Sequence, residues 1–173
     1  MLKNIALFMI LRAEKRLGVA LDYVRQIAKT DVGLLTRYNR LFGTIDPRKH
    51  LPADAYHAAR IRAALASDCG SCVQAEINLA KKSKLDPALI DALLSGSPLK
   101  QPLASVVQLT DAVVANRQDA SEARAEIIKA WGDTGLIELS FAMNGAAMLP
   151  GIKRAMGYAT ACDLTKLQNP GRK

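Results

Sequence analysis

Two cysteines, Cys69 and Cys72, stand in C-x-x-C spacing, and they are the most reactive pair of side chains in the sequence. His57 lies twelve residues before the first cysteine, and Glu76 lies four residues after the second. Paired thiols at this spacing are typical of a redox-active dithiol or of half of a metal site. A histidine and a carboxylate nearby supply the proton-handling groups that thiol chemistry uses.

The local sequence predicts that a helix begins at this motif. Asp68 is a residue type that caps helix N-termini, so we expect a helix from Cys69 to about Lys84. Cys69 would then lie in the first turn, where unpaired backbone N–H groups and the helix dipole favour a thiolate. Cys69, Cys72 and Glu76 would fall on one stripe of this helix. Such a pair is predicted to attack an electrophile and to resolve the product as a disulfide.

His57 belongs to the preceding helix, which is predicted from about Ala53 to Ser67. In one unbroken helix, residues twelve positions apart lie roughly 120° apart around the axis. A break at Ser67-Asp68 would let the two helices pack against each other. We expect this break to bring His57 to the thiols.

The other segments are also predicted to be helical, because their apolar residues recur at intervals of three and four. We expect no strands and predict an all-α, single-domain helical bundle. The predicted helical segments are Asn4–Lys29 with a division or bend at Gly18, a helix capped by Thr30 or Asp31 and ended by Gly43, Ala53–Ser67, Cys69–Lys84, Asp86–Leu94 with Gly96 at its end, Pro102–Asn116, a helix capped by Ser121 and closed by Trp131-Gly132, Leu136–Ala147, and, after a bend at Pro150-Gly151, Ile152–Met156 and a final helix that bears Cys162.

Composition is that of a globular protein, since half of the 173 residues are apolar and 23% are charged. Only three cysteines argue against a secreted disulfide scaffold. The apolar run Ile5–Leu11 is short and lacks a small-residue cleavage site, which argues against a signal peptide. The run Leu136–Leu149 is too short to span a bilayer, and Glu138 and Asn144 interrupt it. We therefore expect a cytoplasmic protein with no membrane partner.

Most of the net charge of +8 lies near the N-terminus, where residues 1–49 hold ten Lys or Arg and four acidic residues, a net +6. These basic residues are dispersed, and aromatic residues make up only 5% of the chain. Nucleic-acid-binding proteins instead cluster basic residues on one face and interleave stacking aromatics. We interpret the charge as a solvated basic face and expect no nucleic-acid partner, with an anionic membrane surface or an acidic partner as less favoured interpretations.

The segment from His57 to Gly96 resembles the alkylhydroperoxidase D-like members of the carboxymuconolactone decarboxylase family. Those proteins carry Glu, C-x-x-C and His at the positions where this chain has His57, the cysteine pair and Glu76. The stretch Lys84-Leu85-Asp86-Pro87-Ala88-Leu89-Ile90 is similar to their connection into the next short helix. The resemblance implies a helical domain of the alkylhydroperoxidase D-like type over residues 44–173, with residues 1–43 as an N-terminal helical extension packed on it, and a trimer or hexamer.

The resemblance also implies a thiol-dependent peroxidase or related oxidoreductase with no bound cofactor or metal. On this basis Cys72 attacks the peroxide, Cys69 resolves it, and a dithiol reductant protein restores the thiols. His57 and Glu76 keep the family spacing but exchange the two residue types. An ionised Glu76 would raise the pKa of the Cys72 thiol by repulsion. A His57–Glu76 hydrogen bond would restore the relay, with Glu76 as base and His57 holding or supplying the proton.

Three functions are therefore considered. The first is a thiol oxidoreductase that reduces alkyl hydroperoxides. The second is a non-enzymatic redox-sensing or interaction protein that docks through its basic N-terminal region. The third is a decarboxylase-like, cofactor-free or metal-dependent enzyme acting on small carbonyl or lactone substrates. Only in the metal-dependent case would His57, Cys69, Cys72 and Glu76 form a four-ligand set.

Cys162 is expected to be an inert core residue, and His50 is expected to be exposed in the loop before Pro52. The apolar faces of residues 5–27 and 136–149 exceed what one small bundle buries, which predicts a homo-oligomer.

Overall fold

A computed structural model of the chain describes residues 2–45 and 48–159, and this part is all-α, as predicted. The helices are α1 (Leu2–Leu17), α2 (Asp22–Thr30), α3 (Val32–Ile45), α4 (Ala53–Ala66), α5 (Gly70–Lys82), α6 (Pro87–Ser95), α7 (Leu103–Thr110) and α8 (Ser121–Ala155), with a π-helical segment, Asp111–Asn116, after α7. No strand occurs in the described ranges. Cys162 and its predicted helix lie outside them.

The first helix boundaries follow local sequence signals. Gly18 has a φ of 70°, which residues with side chains rarely adopt, and it ends α1, so the predicted division is confirmed. The Asp31 carboxylate accepts a hydrogen bond from the backbone N–H of Gly33 at 2.6 Å. Asp31 rather than Thr30 therefore caps α3. This helix runs two residues beyond its predicted end at Gly43.

The short helix α6 has all of its predicted terminal signals. The Asp86 carboxylate accepts from the N–H of Ala88 at 2.9 Å, and Pro87 occupies the first helical position. Gly96 ends the helix in the left-handed conformation with a φ of 73°. Because these interactions lie within one turn of the chain, the sequence alone is sufficient to predict both ends of this helix.

Two predictions about α8 are wrong. Ala120, not Ser121, occupies the capping position, and the chain stays helical through Pro150 to Ala155. Pro150 is fully buried, and the packing of α8 outweighs the local tendency of proline to end a helix. The predicted interruption at Gly132 is present, with a φ of 68° and a ψ of −178°.

Buried apolar residues form two clusters. The larger cluster is built around α4, which packs against α5, α6, α7 and α8. The smaller cluster joins α1, α2 and α3 to the last turns of α8, and the hydroxyls of Tyr23 and Tyr38 are hydrogen-bonded within it. Helix α8 contributes to both clusters, and the division of the chain at residue 43 stays a prediction.

The loop that leads into α4 is held by a buried carboxylate. Glu138 of α8 is 5% exposed and accepts hydrogen bonds from the backbone N–H groups of Lys49, His50 and Leu51. Three consecutive backbone donors thus share one buried carboxylate, which fixes the loop against α8. The His50 side chain is exposed, as predicted.

Among the described helices, α8 is long and apolar enough to cross a membrane by length and composition alone. Its most apolar window has a mean hydropathy of 1.2, and 44% of that window is buried inside the fold. Core helices of globular proteins pass the same test, so this property is weak support for a membrane span. The expectation of a cytoplasmic protein stays a prediction.

Candidate dithiol site

Cys69 and Cys72 lie at the N-terminal end of α5, with their sulfurs at disulfide-bond distance and their Cα atoms 5.2 Å apart. Cys69 is itself the capping residue, and its carbonyl accepts the N–H groups of Cys72 and Val73, each at 2.9 Å. The prediction that Asp68 caps this helix is wrong. Asp68 has a φ of 45°, a left-handed conformation that aspartate tolerates, and it turns the chain between α4 and α5.

The two sulfurs differ in their access to solvent. Cys69 is completely buried, whereas Cys72 is partly exposed. Thiol–disulfide exchange requires direct approach of the attacking group to a sulfur. This difference favours Cys72 as the sulfur that external reactants meet.

Glu76 lies one helical turn after Cys72 and forms a buried ion pair with Arg60 of α4. The Arg60 guanidinium donates to both carboxylate oxygens at 2.8 Å, and the two side chains are only 4% and 9% exposed. Arg60 also donates to the Tyr56 hydroxyl at 3.2 Å and lies 5.3 Å from the centre of its ring. The positive charge of Arg60 therefore compensates the negative charge that Glu76 would otherwise present to a Cys72 thiolate.

The sequence gives only an indirect signal that Arg60 belongs to this site. It lies on an alanine-rich helix whose neighbouring residues Tyr56, Ala59 and Ala63 are buried. Arginine is seldom buried without a partner, because an uncompensated charge in the interior is costly. A charged residue on this apolar surface therefore signals a buried carboxylate, but it does not say which one.

The His57 side chain, from α4, contacts the C-terminal end of α5, whereas the cysteine pair lies at the N-terminal end of that helix. Its Nε2 atom is 2.8 Å from the hydroxyl of Ser83, eleven residues after Cys72, a distance of about 16 Å along the helix. The predicted break between the two helices exists, but it does not bring His57 to the sulfurs. The His57–Glu76 hydrogen bond is also not formed, since Nε2 lies against Ser83 and the other ring nitrogen, Nδ1, has no hydrogen-bond partner among the described residues.

The environment of His57 keeps its imidazole neutral. Burial lowers the pKa of His57 to about 4, although the charge of Glu76 acts in the opposite direction. Its buried Nδ1 atom has no hydrogen-bond partner among the described residues. A neutral imidazole can exchange a proton but supplies no positive charge to a thiolate. Any cation that stabilises these thiolates must come from another residue.

We expect His57 to make the fold more sensitive to acid. Its pKa falls from 6.5 to about 4 on folding, so the unfolded chain binds more protons between these values, and stability declines as the pH falls through this window. The variant His57→Gln keeps a polar group for Ser83 but does not titrate. We expect the free energy of unfolding in urea to fall between pH 7 and pH 4 in both proteins, and to fall by about 2 kcal/mol less in the variant than in wild type. Identical declines in the two proteins would contradict this expectation.

Within the described residues, no group of three or more His, Cys, Asp or Glu side chains is arranged to hold a metal ion. The four-ligand set considered from the sequence is not assembled. The cysteine sulfurs are bonded to each other, Glu76 is engaged by Arg60, and His57 lies near Ser83.

Comparison of the chain with protein-family models, with curated proteins and with solved structures found no match. What the fold and the site define is an all-α protein with a C-x-x-C pair at disulfide distance, an arrangement compatible with a redox motif. Any closer assignment depends on the chemistry of the site and on the resemblance of its motif.

Proposed function

We propose that this chain is a thiol-dependent oxidoreductase of the alkylhydroperoxidase D-like type, which reduces organic hydroperoxides. The supporting observation is a C-x-x-C pair at disulfide distance, with Cys69 buried and Cys72 partly exposed. A peroxide as substrate is suggested by the resemblance of the segment from His57 to Gly96.

The proposed cycle uses the two sulfurs in turn. The Cys72 thiolate attacks the terminal peroxide oxygen, the O–O bond breaks, and the alkoxide leaves as the alcohol after taking a proton. The Cys69 thiolate then attacks the Cys72 sulfenic acid, which forms the disulfide and expels hydroxide; this hydroxide takes up the proton that Cys69 lost and leaves as water. A dithiol reductant protein returns two electrons, so that its own thiols become a disulfide and both cysteines become thiols again.

Glu76 is the proposed proton carrier of this cycle. It lies one turn from Cys72, and its carboxylate has lone pairs beyond those that bind Arg60. It would take the proton of the Cys72 thiol and deliver it to the departing alkoxide. His57 is neutral and lies beside Ser83, so this cycle assigns it no part in the proton transfer.

The substitution Cys72→Ser tests this function. With an organic hydroperoxide and a dithiol reductant, we expect wild-type turnover and a loss of at least about 100-fold in the variant, because the nucleophile is absent. The matched control is Cys162→Ser, which removes the remaining cysteine and should leave turnover unchanged. Equal turnover in Cys72→Ser and wild type, or no turnover in wild type, would overturn the function.

A redox-sensing or interaction protein is the second candidate. The observation that favours it is an exposed apolar surface on α1, in the basic N-terminal region, formed by Leu2, Ile5, Phe8, Met9 and Leu11. Such a surface could dock a partner. Reversible closure of the cysteine pair without peroxide turnover, in the same assay, would favour this candidate.

We also propose that the chain forms a homo-oligomer. Helix α8 exposes the large apolar residues Ile128, Ile137 and Phe141. Burial of exposed apolar side chains against a second copy is favourable. A trimer or hexamer is the assembly suggested by the family resemblance.

A further inference from the structure

A lysine from α8 reaches into the C-x-x-C motif. The Lys153 ammonium donates a hydrogen bond to the hydroxyl of Ser71, which lies between the two cysteines in sequence. Lys153 is only 8% exposed, and its ammonium lies 5.9 Å from the centre of the Tyr23 ring. Lysine is rarely buried to this extent unless it is paired. The contact with Ser71 therefore gives the buried ammonium group a hydrogen-bond acceptor.

Two successive hydrogen bonds connect Lys153 to Cys69 through the hydroxyl of Ser71. The Ser71 hydroxyl oxygen lies 3.8 Å from the Cys69 sulfur. A disulfide sulfur carries no proton, so Ser71 is the donor in this contact, while its oxygen accepts from Lys153. The three groups form a donor chain that ends at the buried sulfur of the pair.

Opening of the disulfide places negative charge on this buried sulfur. When a reductant thiolate attacks the accessible Cys72 sulfur, a mixed disulfide forms, the Cys69–Cys72 bond breaks, and the electron pair goes to Cys69. The second thiolate of the reductant then releases Cys72 and leaves as a disulfide. A thiolate without a nearby positive charge is unfavourable at a fully buried position such as Cys69.

We propose that Lys153, acting through Ser71, stabilises the Cys69 thiolate and so makes Cys69 the leaving sulfur when the disulfide opens. Lys153 is thus a positioning residue for the dithiol site, and its part in turnover rests on the proposed function. The stabilising effect on Cys69 itself does not depend on which oxidant closes the disulfide.

The other charged groups around these atoms do not supply the same contact. Arg154, in the same turn of α8, donates to the backbone carbonyls of Ser67 and Asp68, each at 2.7 Å, and not to a group beside the sulfur. The charge of Arg60 is matched by Glu76. Among the described residues, Asp22 acts on Lys153 through its negative charge. Asp68 immediately precedes Cys69, and Glu76 lies one helical turn after Cys72.

The test measures the ionisation of Cys69 directly. In a Cys72→Ser/Cys162→Ser background, Cys69 is the sole thiol of a chain that has three cysteines. Ultraviolet absorbance of the thiolate, followed against pH, gives its pKa without requiring solvent access. We expect Lys153→Met to raise this pKa by about one unit or more, a tenfold loss of thiolate below that pKa. Lys153→Arg should retain most of the effect, and Ser71→Ala should shift the pKa in the same direction as Lys153→Met.

Arg154→Met is the matched control, because it removes one positive charge from the same turn of α8. A Cys69 pKa that is unchanged in Lys153→Met, or raised equally in Arg154→Met, would overturn the role of Lys153. If circular dichroism shows that Lys153→Met does not fold, Ser71→Ala decides the question, and an unchanged pKa in that variant overturns the role.

Failure of the peroxidase function and failure of this role are distinguishable, since no peroxide enters the measurement. A wild type without turnover, together with the expected pKa shift, removes the proposed function and leaves the role of Lys153 standing. Turnover in wild type, together with a Cys69 pKa that is unchanged in Lys153→Met, keeps the proposed function and removes the role of Lys153.

Discussion

Replacing Arg60 by methionine is expected to lower the free energy of unfolding by about 3–5 kcal/mol, because the Glu76 carboxylate is left buried without its cation. Arg60 donates to both oxygens of this carboxylate at 2.8 Å, and neither side chain is more than 9% exposed. Methionine retains most of the aliphatic length of arginine, so the loss reflects charge more than a cavity. Urea unfolding at pH 7, followed by circular dichroism, measures it.

The reciprocal variant and the double variant show whether the pair is the cause. Glu76→Met should also be strongly destabilising, since it leaves a buried guanidinium. Replacing both partners by methionine should cost much less than the sum of the single changes, because no unpaired charge remains. A double variant as unstable as that sum would contradict the explanation.

A surface ion pair supplies the matched control. Arg124 pairs with Asp119, but these side chains are 39% and 67% exposed. Arg124→Met should cost within about 1 kcal/mol, because solvent already screens this pair. An equal loss in Arg60→Met and Arg124→Met would show that burial is not what makes the first pair important.

Loss of Arg60 should also disfavour formation of a thiolate at Cys72. Glu76 lies one turn from Cys72, and without Arg60 its charge would oppose formation of a thiolate there. Arg60 therefore belongs to the candidate dithiol site, because it neutralises the carboxylate that lies one turn from Cys72. On the proposed function, this makes Glu76 tolerable beside a thiol that ionises.

Features that depend on a few neighbouring residues could be predicted from the sequence. The N-terminus of α6 follows from Asp86 and Pro87, and its end follows from Gly96. The closeness of Cys69 and Cys72 likewise needs only one helical turn. In each case the deciding interaction lies within one turn of chain, so tertiary packing is not required to specify it.

Features that depend on the register between helices could not be predicted in this way. Helical spacing gives the direction of His57 around the axis of α4, but not its height against α5, and the ring lies beside Ser83 instead of the sulfurs. Lys153 and Ser71 are 82 residues apart in sequence. No local pattern brings them together, because their contact requires α8 to be placed against the start of α5.

Asp68 shows how one residue type supports two local structures. Aspartate is favoured as a helix cap, and it also tolerates the left-handed conformation better than most residues. The predicted cap depends on the first property, whereas Asp68 in the structure shows the second, and Cys69 takes the capping position. The tight turn between α4 and α5 decides between them, since the two helices must reverse direction there.

Glu138→Ala is expected to be among the most destabilising single changes outside the dithiol site, at about 3–5 kcal/mol. The carboxylate accepts hydrogen bonds from three consecutive backbone N–H groups, those of Lys49, His50 and Leu51. Alanine removes all of these acceptors at once. Denaturant unfolding of the variant and wild type at neutral pH gives the difference.

Two further variants show whether the loss of stability in Glu138→Ala comes from the lost hydrogen bonds or from a general loss of charge on α8. Glu122 is exposed on the same helix, and Glu122→Ala should change stability by no more than about 0.5 kcal/mol. Glu138→Gln should fall between wild type and Glu138→Ala, because the amide keeps one acceptor but turns donors toward the backbone N–H groups. If Glu138→Ala were as stable as Glu122→Ala, the loop would not depend on this carboxylate. Since that loop leads directly into the helix that carries Arg60, its loosening should also weaken the Arg60–Glu76 pair beside the cysteines.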